Sequence, residues 1–572
     1  MNSILITSAL PYINGIKHLG NLVGSMLPAD VFARFQRARG RDTLFICATD
    51  EHGTPAEIAA LEAGQDVAAY CTEQHQIQKD LCERFGMSWD FFGRSSGRPN
   101  RELTQHFART LWQRGHLEVR TTRQVYSATD HRFLPDRYVI GTCPHCGYER
   151  ARGDQCENCT RVLDPVDLIE PRSALSGATD IEIRDSSHLF LKQSQFTEAL
   201  REWVNGHRSD WPVIVTSIAH KWLDEGLHDR GITRDLEWGI PVPDDIGDGK
   251  LKGKVFYVWF DAPIEYIGAT REWAEVERKG ERWRDWWYGE PAKRVTYFQF
   301  MGKDNVPFHT VGFPVTVMGS GEPWKLVDRI KGFNYLNYCG GKFSTSQKRG
   351  VFMDSALEIL PADVWRYYLM ANAPESSDSN FAWEHFAATV NKDLADVVGN
   401  FVNRVMRFCA ARFDSCVPGD GVWGGEELAL AHELDLRVKS CTELLEACEF
   451  RKAVGELRAI WVAGNEYLTR VAPWSAIRDD RARAAVGVRV GLNLVHLFGH
   501  LSWPLIPELG RKMHEAIMPA PQIISWPDEP MRDFLDQLEA GMVVHAPDVL
   551  VAKISDAQVE EWQNRFGGEN RA

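Results

Sequence analysis

The stretch Ile4–Asn21, ILITSALPYINGIKHLGN, decides how the rest of the chain is read. Ile4-Leu5-Ile6 is an apolar run of strand length. Pro11, Asn14 and Gly15 then turn the backbone. His18-Leu19-Gly20-Asn21 opens an amphipathic stretch that continues through Val31, Phe32, Phe35 and Arg39. Strand, tight loop and helix in succession aim free backbone N–H groups and a positive dipole end at a phosphate. Neither GxGxxG nor GxxxxGK occurs at this turn. A histidine, a glycine that admits close approach and an asparagine amide stand there instead. A lone histidine near a strand end is more often structural than functional, so the rest of the chain has to decide.

Moving outward, the same pattern recurs. Pro28 is expected to end or kink the first helix. Thr43–Cys47 reads as a second strand running into Ala48-Thr49-Asp50-Glu51-His52-Gly53-Thr54-Pro55. Polar residues at the end of an apolar strand are where parallel sheets hold ligands, so Asp50, Glu51 and His52 are site candidates. The alternative for Asp50 is a cap for a helix over 57–63. Val255–Pro263 reads as a buried strand returning to the first sheet. Tyr297–Met301 is another, meeting Gly302-Lys303-Asp304-Asn305 with His309 a turn later. Before both of them, from Gly115, lies a turn-rich insertion with Cys143-Pro144-His145-Cys146 and Cys156-Glu157-Asn158-Cys159, two CxxC pairs nine residues apart. Four thiolates in two knuckles suit tetrahedral zinc and leave no position open for water, so the site reads as structural, with His145 a bystander.

Gly340–Gly350 (GGKFSTSQKRG) carries glycines at both ends, three hydroxyls and three cations. It reads either as a loop that holds a polyphosphate or as a solvated turn. Beyond Pro361 helical periodicity takes over. Leu394, Val397, Val398, Phe401, Val405 and Phe408 share one face of a helix over 391–408, with Asn400, Arg404 and Arg407 on an adjoining polar stripe. Further periodic runs over 432–449, 453–470 and 484–502 give an antiparallel bundle. Such a stripe is usually a wet face; Arg451, Lys452, Arg458 and Arg470 leave a nucleic-acid surface open as a second reading.

Composition bounds these readings. A chain of 572 residues, 44% hydrophobic and 25% charged, holds roughly three to four ordinary globular domains. The net charge of −14, from 65 basic and 79 acidic residues, argues against coating nucleic acid through a whole-molecule field. The best apolar runs, 255–260 and 311–318, are strand-length, far below the ~18 residues of a membrane span. No signal-peptide pattern is read at the N-terminus. The 12 cysteines, dispersed except for the knuckle, fit a reducing compartment, so a cytoplasmic location is expected.

Taken in order, these pieces resemble class I aminoacyl-tRNA synthetases, and among them the methionyl-tRNA synthetase family, over nearly the whole chain. His18-Leu19-Gly20-Asn21 resembles the HIGH signature and Lys342-Phe343-Ser344-Thr345-Ser346 the KMSKS loop. Leu10-Pro11-Tyr12, the four-cysteine knuckle, Tyr257–Pro263, Gly302-Lys303-Asp304 with Phe308-His309, and Ala472-Pro473-Trp474 match the methionyl family in particular. The resemblance implies an α/β fold: a Rossmann-like parallel-sheet catalytic domain with a zinc-knuckle insertion, then an α-helical bundle that binds the anticodon. The implied boundaries are 1–115 with 254–330, 116–253 for the insertion, 331–390 for the lysine-loop link, 391–540 for the bundle and 541–572 for a tail. It implies methionine, ATP with Mg, and tRNA(Met) as partners, one structural zinc on Cys143, Cys146, Cys156 and Cys159, no membrane, and a monomer.

Roles are implied likewise. His18, Asn21, Lys342 and Lys348 would serve catalysis. His18, Gly20, Asn21, Lys342, Ser344, Thr345 and Ser346 would hold ATP. Methionine would be bound by Leu10, Tyr12, Asp50, Trp259, Ala262, Pro263, Tyr266, Asp304 and His309, with Asp50 on the ammonium and a polarisable thioether against aromatic edges. Asn400, Arg404 and Trp474 would read the CAU anticodon. Two departures stand out. Asn21 replaces the second histidine of the signature, and Thr345 replaces the second lysine of the loop, with Gln347-Lys348 resembling an insertion. We hypothesise that Lys348 or Arg349 supplies the missing cation for pyrophosphate. Pyrophosphate exchange by Lys348→Ala tests this; a near-normal rate removes Lys348 from the site.

Overall fold

The computed structural model describes residues 3–153, 156, 158–159, 161, 163–344 and 349–567. Five strands form one parallel sheet: β1 (Ser3–Ser8), β2 (Thr43–Thr49), β3 (Phe91–Arg94), β4 (Val295–Gly302) and β5 (Arg329–Phe333), in the order β5-β4-β1-β2-β3. β1 lies between β2 and β4, with Leu5 opposite Leu44 and Tyr297. The chain leaves β1 toward one edge and returns at β4 on the other side, so the crevice beyond the carboxyl ends of β1, β2 and β4 is a topological switch point. Alternation along β1 divides the core. Ile4 and Ile6 join an apolar cluster continuous with the C-terminal helices, and Leu5 faces a second cluster under the helix Arg98–Gln113.

The first helix departs from expectation at Pro28. A proline there has no N–H for the carbonyl of residue 24, and the backbone widens into a π-helical turn over Leu22–Met26 before continuing as an α-helix over Leu27–Ala38. The helix is neither ended nor replaced by a loop. Asp50 caps nothing: the next helix is Thr54–Glu62, entered at Gly53.

The expected strand over 255–263 is a larger correction. Only Val255–Phe256 is extended, paired with Thr233–Arg234 outside the main sheet, and Val258–Asp261 is a helical turn leading into the helix Glu265–Val276. An apolar aromatic run does not choose between strand and helix by itself. The spacing of Trp259, Ala262, Pro263 and Tyr266 (i, i+3, i+4, i+7) was the helical signal. The apolar run at 311–318 is likewise helical, a π turn over Phe308–Gly312 followed by Phe313–Ser320.

The insertion is built on a long antiparallel pair, Leu117–Ser127 with Ile181–Leu191, and a three-stranded sheet of Ala151–Arg152, Val139–Thr142 and Ile169–Ser173 that carries the cysteines. The bundle comprises Val390–Phe413 (its first ten residues π-helical), Gly425–Glu446, Phe450–Val471, Arg481–Ser502 and Pro507–Glu515. Among the described residues one helix, Arg481–Ser502, is long and apolar enough to cross a membrane, and it is enclosed by the bundle on every side. Bundle and sheet are joined at Arg366, fully buried, which donates to Asp30 (2.7 Å) and to the carbonyls of Leu505 (2.8 Å) and Phe85 (3.1 Å). The final described segment does not trail away: the helix Asp556–Arg565 packs on Trp383, and the Phe566 carbonyl accepts from the Gly350 N–H at 3.3 Å.

Candidate active site

At the switch point a cleft of about 380 Å³ is lined by Leu10, Tyr12, Asp50, Trp259, Ala262, Pro263, Tyr266 and His309, together with Ala9, Asn305 and Phe308. Four separate segments supply these residues. Residues 11–13 extend the β1 edge past the sheet, the Asp50 N–H donating to the Pro11 carbonyl and the Ile13 N–H to the Asp50 carbonyl (both 2.9 Å). Buried Gln78 pins this loop from beneath through the carbonyls of Tyr12 and Gly15. Trp259 donates its indole N–H to the half-exposed Tyr12 hydroxyl at 3.3 Å and rests on Phe308, with ring centroids 3.9 Å apart. Arg230 lies over Trp259 from behind, 4.9 Å from the ring centre. Phe308, Asn305 and Arg230 were not among the expected site residues. Phe308 was legible beside His309; Arg230, far away in sequence, was not. Asp304 stands on the exposed rim and does not line the cleft.

Two groups in this cleft are polar and buried. Asp50 is 5% exposed, and its Oδ1 has no hydrogen-bond partner among the described residues. Burial, then the neighbouring Asp261 and Glu51, push its carboxyl well above the usual range. His309 donates from Nδ1 to the Asn305 carbonyl (2.9 Å), which fixes Nε2 as the acceptor for the Tyr266 hydroxyl (2.9 Å). Burial lowers its pKa to about 4, so it is a neutral ring with both nitrogens engaged. Glu51 and His52 do not face the cleft. Glu51 is held by Arg94 (2.8 Å) and Ser96 (2.5 Å), and His52 pairs with Asp261 at 2.6 Å, tying the end of β2 to the turn that carries Trp259.

Beside the cleft, His18 caps the first helical turn. Its Nδ1 accepts from the Asn21 N–H (3.2 Å) while the Asn21 side-chain oxygen accepts from the His18 N–H (3.3 Å). Accepting at Nδ1 places the proton on Nε2. Burial and the nearby Lys17 lower the pKa to about 4, so His18 offers a neutral N–H donor, not a cation. A Cβ at Gly20 would lie 3.0 Å from the His18 ring, so only glycine leaves the imidazole in place. Lys17, not among the expected residues, is partly buried, and desolvation lowers its pKa to about 8.

The lysine loop meets this turn directly. Phe343 stacks on His18, with centroids 4.5 Å apart, and the chain after the loop bonds to the turn from Leu19 N–H to Val351 O (3.1 Å) and from Met353 N–H to Lys17 O (2.9 Å). Lys342 therefore adjoins a residue in contact with His18. Ser344 and Arg349 pair as the base of a hairpin. The Arg349 guanidinium donates inward through one terminal nitrogen to the Tyr338 (2.9 Å) and Cys339 (3.2 Å) carbonyls. Thr345, Ser346 and Lys348 lie outside the described residues.

In the insertion the four cysteine sulfurs lie within 4.8 Å of one another, with Cys143 to Cys159 at 3.9 Å and Cys146 to Cys156 at 3.6 Å. Zinc–thiolate bonds of about 2.3 Å in a tetrahedron require sulfurs about 3.8 Å apart. The set fits one structural zinc. His145 is turned aside to Arg161. On the bundle, Arg404 covers Trp474 at 4.2 Å, with Asn400 exposed one turn earlier. The other cations considered for a nucleic-acid face are mostly spent: Lys452 pairs with Glu449, Arg458 with Asp393 and Arg470 with Glu426.

A parallel sheet with a histidine-capped turn, a lysine hairpin on it and a helical bundle behind is the architecture of a class I tRNA synthetase. The family described as "tRNA synthetases class I (M)" matches residues 4–406, and "Anticodon binding domain of methionyl tRNA ligase" matches 417–571. The chain is 59% identical to the methionine–tRNA ligase of Maricaulis maris over 100% of both chains, and 57% identical to that of Streptomyces avermitilis over 99% of both. It belongs to the methionyl family of class I tRNA synthetases. Among solved structures it shares its fold with Mycobacterium tuberculosis methionyl-tRNA synthetase in complex with methionyl-adenylate (TM-score 0.76, 23% identity, 96% of this chain and 99% of that one). The same enzyme's apo form superposes with a TM-score of 0.72 at 21% identity, over 97% of this chain and 99% of that one.

Proposed function

We propose that this chain is a methionine–tRNA ligase that activates methionine with ATP and transfers it to the 3′ end of tRNA(Met). The observation that carries the reading is the buried Asp50 carboxyl, its Oδ1 without a partner among the described residues, lining an aromatic cleft beside His18. An α-ammonium supplies what Asp50 lacks, and Trp259, Tyr266 and Phe308 supply polarisable edges for a thioether. The substrate carboxylate then points toward the His18 turn. It attacks the α-phosphate of ATP, forming a mixed anhydride and expelling pyrophosphate. The nucleophile is already ionised, so no general base is needed. Rate comes from positioning and from donors on the phosphoryl oxygens. His18 Nε2–H and the helix N-terminus behind it serve at the α-phosphate, Lys342 with Ser344 serves the leaving pyrophosphate, and Mg enters with ATP. A ribose hydroxyl of the tRNA attacks the adenylate carbonyl in the second step.

Cys143, Cys146, Cys156 and Cys159 would hold zinc, which fixes the two knuckles and supplies no chemistry to either step. Asn400, Arg404 and Trp474 form the anticodon reader: an amide and a guanidinium for base edges, and an indole for stacking. The twelve cysteines, none in a disulfide, support the reducing cytoplasm. Charging assays test the reading. Transcripts with a CAU anticodon should be aminoacylated with methionine, and Trp474→Ala should lower charging roughly 5- to 150-fold, the equivalent of about 1–3 kcal/mol of stacking, while leaving pyrophosphate exchange intact. Equal loss in both assays would place Trp474 in folding instead.

A further inference from the structure

We propose that His496, His500 and His514 form a second metal site, for a zinc-class divalent cation, in the core of the helical bundle. His496 and His500 are one turn apart on Arg481–Ser502 and share a face, the i, i+4 spacing that presents two imidazoles to one ion. His514 comes from the next helix, Pro507–Glu515. The two helices touch through glycines: a Cβ at Gly499 would lie 2.9 Å from the His514 nitrogen and 3.0 Å from the Gly510 carbonyl. That contact lets the third ring reach the other two. All three side chains are buried, and each offers a ring nitrogen within 4.8 Å of the others.

The hydrogen bonds around the rings set the tautomers a metal requires. The His500 Nδ1 lies 2.6 Å from the Ser525 carbonyl and the His514 Nδ1 3.2 Å from the Met518 carbonyl. A carbonyl only accepts, so both rings carry their proton on Nδ1 and present Nε2 as a lone pair. A backbone carbonyl on the remote nitrogen is the outer support typical of histidines that bind metals. The His496 Nε2 lies 3.0 Å from that of His500 and so holds the proton between them, with its Nδ1 facing the Gln537 amide at 3.4 Å. Binding an ion requires the His496 proton to pass from Nε2 to Nδ1, where the Gln537 oxygen accepts it after the amide turns over. No charge is created or lost in that exchange. Burial keeps the rings neutral, the state in which imidazole binds metals, pushing His500 down to about 4. Glu529 near His500 and Glu515 near His514 favour the added positive charge, and Arg511 near His514 disfavours it.

Four-coordinate zinc with nitrogen ligands at about 2.0–2.1 Å asks for nitrogens about 3.3 Å apart. The His496–His500 pair is already at that scale, and His514 lies within 4.8 Å of both. Gln537 is exposed and engages the His496 Nδ1, so the fourth position on the ion would go to a water. The ion would staple the last two helices to the segment 525–537, a contribution to bundle stability and none to the activation step.

The test counts metal on the full-length protein. After stripping with EDTA, reloading with zinc and desalting, about two zinc ions per chain are expected from elemental analysis. His500→Phe, which fills the ring's volume, should hold about one. With cobalt as a probe, the wild-type spectrum should add thiolate-free visible bands to the sulfur-to-cobalt charge transfer of the knuckle, and His500→Phe should lose only the former. One zinc per chain in the wild type, or a cobalt spectrum with thiolate bands alone, overturns the proposal without reference to any variant. Two zinc ions per chain in a folded His500→Phe would also overturn it.

Discussion

Asp50 makes methionine binding a pH-dependent event. With its carboxyl raised well above the usual range in the empty cleft, Asp50 carries a proton at pH values where an exposed aspartate, near 4, is ionised. The ammonium of the substrate needs the carboxylate, so binding releases that proton, and affinity should strengthen as pH rises until the raised pKa is passed. Titration calorimetry at several pH values should show up to about tenfold tighter binding per pH unit below that point, and Asp50→Asn should bind weakly with a flat profile. A flat profile in the wild type would mean that Asp50 does not meet the ammonium. Stability of the empty protein runs the opposite way. A raised folded-state pKa gives stability that is whole below the unfolded pKa and lost as pH rises through the folded one. The empty protein therefore loses stability over that window, and methionine should restore it in a Tm series. Residue identity at the strand ends was readable because polar groups follow apolar runs. That Glu51 and His52 turn away was not, because adjacent residues leave a strand end on opposite sides, and the deciding partners, Arg94 and Asp261, lie far along the chain.

At the scale of elements, the insertion meets the cleft at Arg230, over Trp259, and at Trp238 beside the end of β2. Trp238 donates its indole N–H to the Glu51 carbonyl at 2.6 Å and its backbone N–H to Glu57 at 2.9 Å, and Glu57 also accepts from Tyr138, in the apolar cluster that includes Cys143 and Cys156. Glu51 follows Asp50 directly in the chain, so its carbonyl lies one residue beyond the carboxyl of the site. Trp238→Phe keeps most of the packing and removes the donor. It should lower kcat/KM for methionine about fivefold, the worth of one neutral hydrogen bond near 1 kcal/mol, with the zinc content unchanged. No change would show that the insertion supports itself and not the cleft. Elements were legible where length and period agreed, as in β1, β2, β4 and the bundle helices. They were misread where a short aromatic run served both periods, as in 255–263. The π-helical turns at Leu22–Met26 and Phe308–Gly312 leave no periodic trace, since each spans little more than one turn.

Across the whole molecule, segments hundreds of residues apart are brought to one crevice: Asp50 from the end of β2, Trp259 from a helical turn after the insertion, His309 after β4, and Phe343 on His18. Sequence order alone suggested one sheet with an insertion, and the strand order β5-β4-β1-β2-β3 with β1 between β2 and β4 is the physical reason these pieces meet. What the sequence could not show is how firmly the halves are joined. Arg366 and Asp30, both fully buried, sit at that joint, and the C-terminal helix returns to the lysine-loop base. Lys348 and Arg349 are the two candidates for the missing cation of that loop, and the pyrophosphate exchange rates of Lys348→Ala and Arg349→Ala decide between them.

The central claim is that this crevice selects methionine and joins it to adenylate. Amino-acid-dependent exchange of labelled pyrophosphate into ATP, run on the full-length protein with each of the twenty amino acids in turn, measures it most directly. Methionine alone should drive exchange at a substantial rate, and Asp50→Asn should abolish most of it. Exchange driven by another amino acid in preference to methionine, or none with any, would contradict the account.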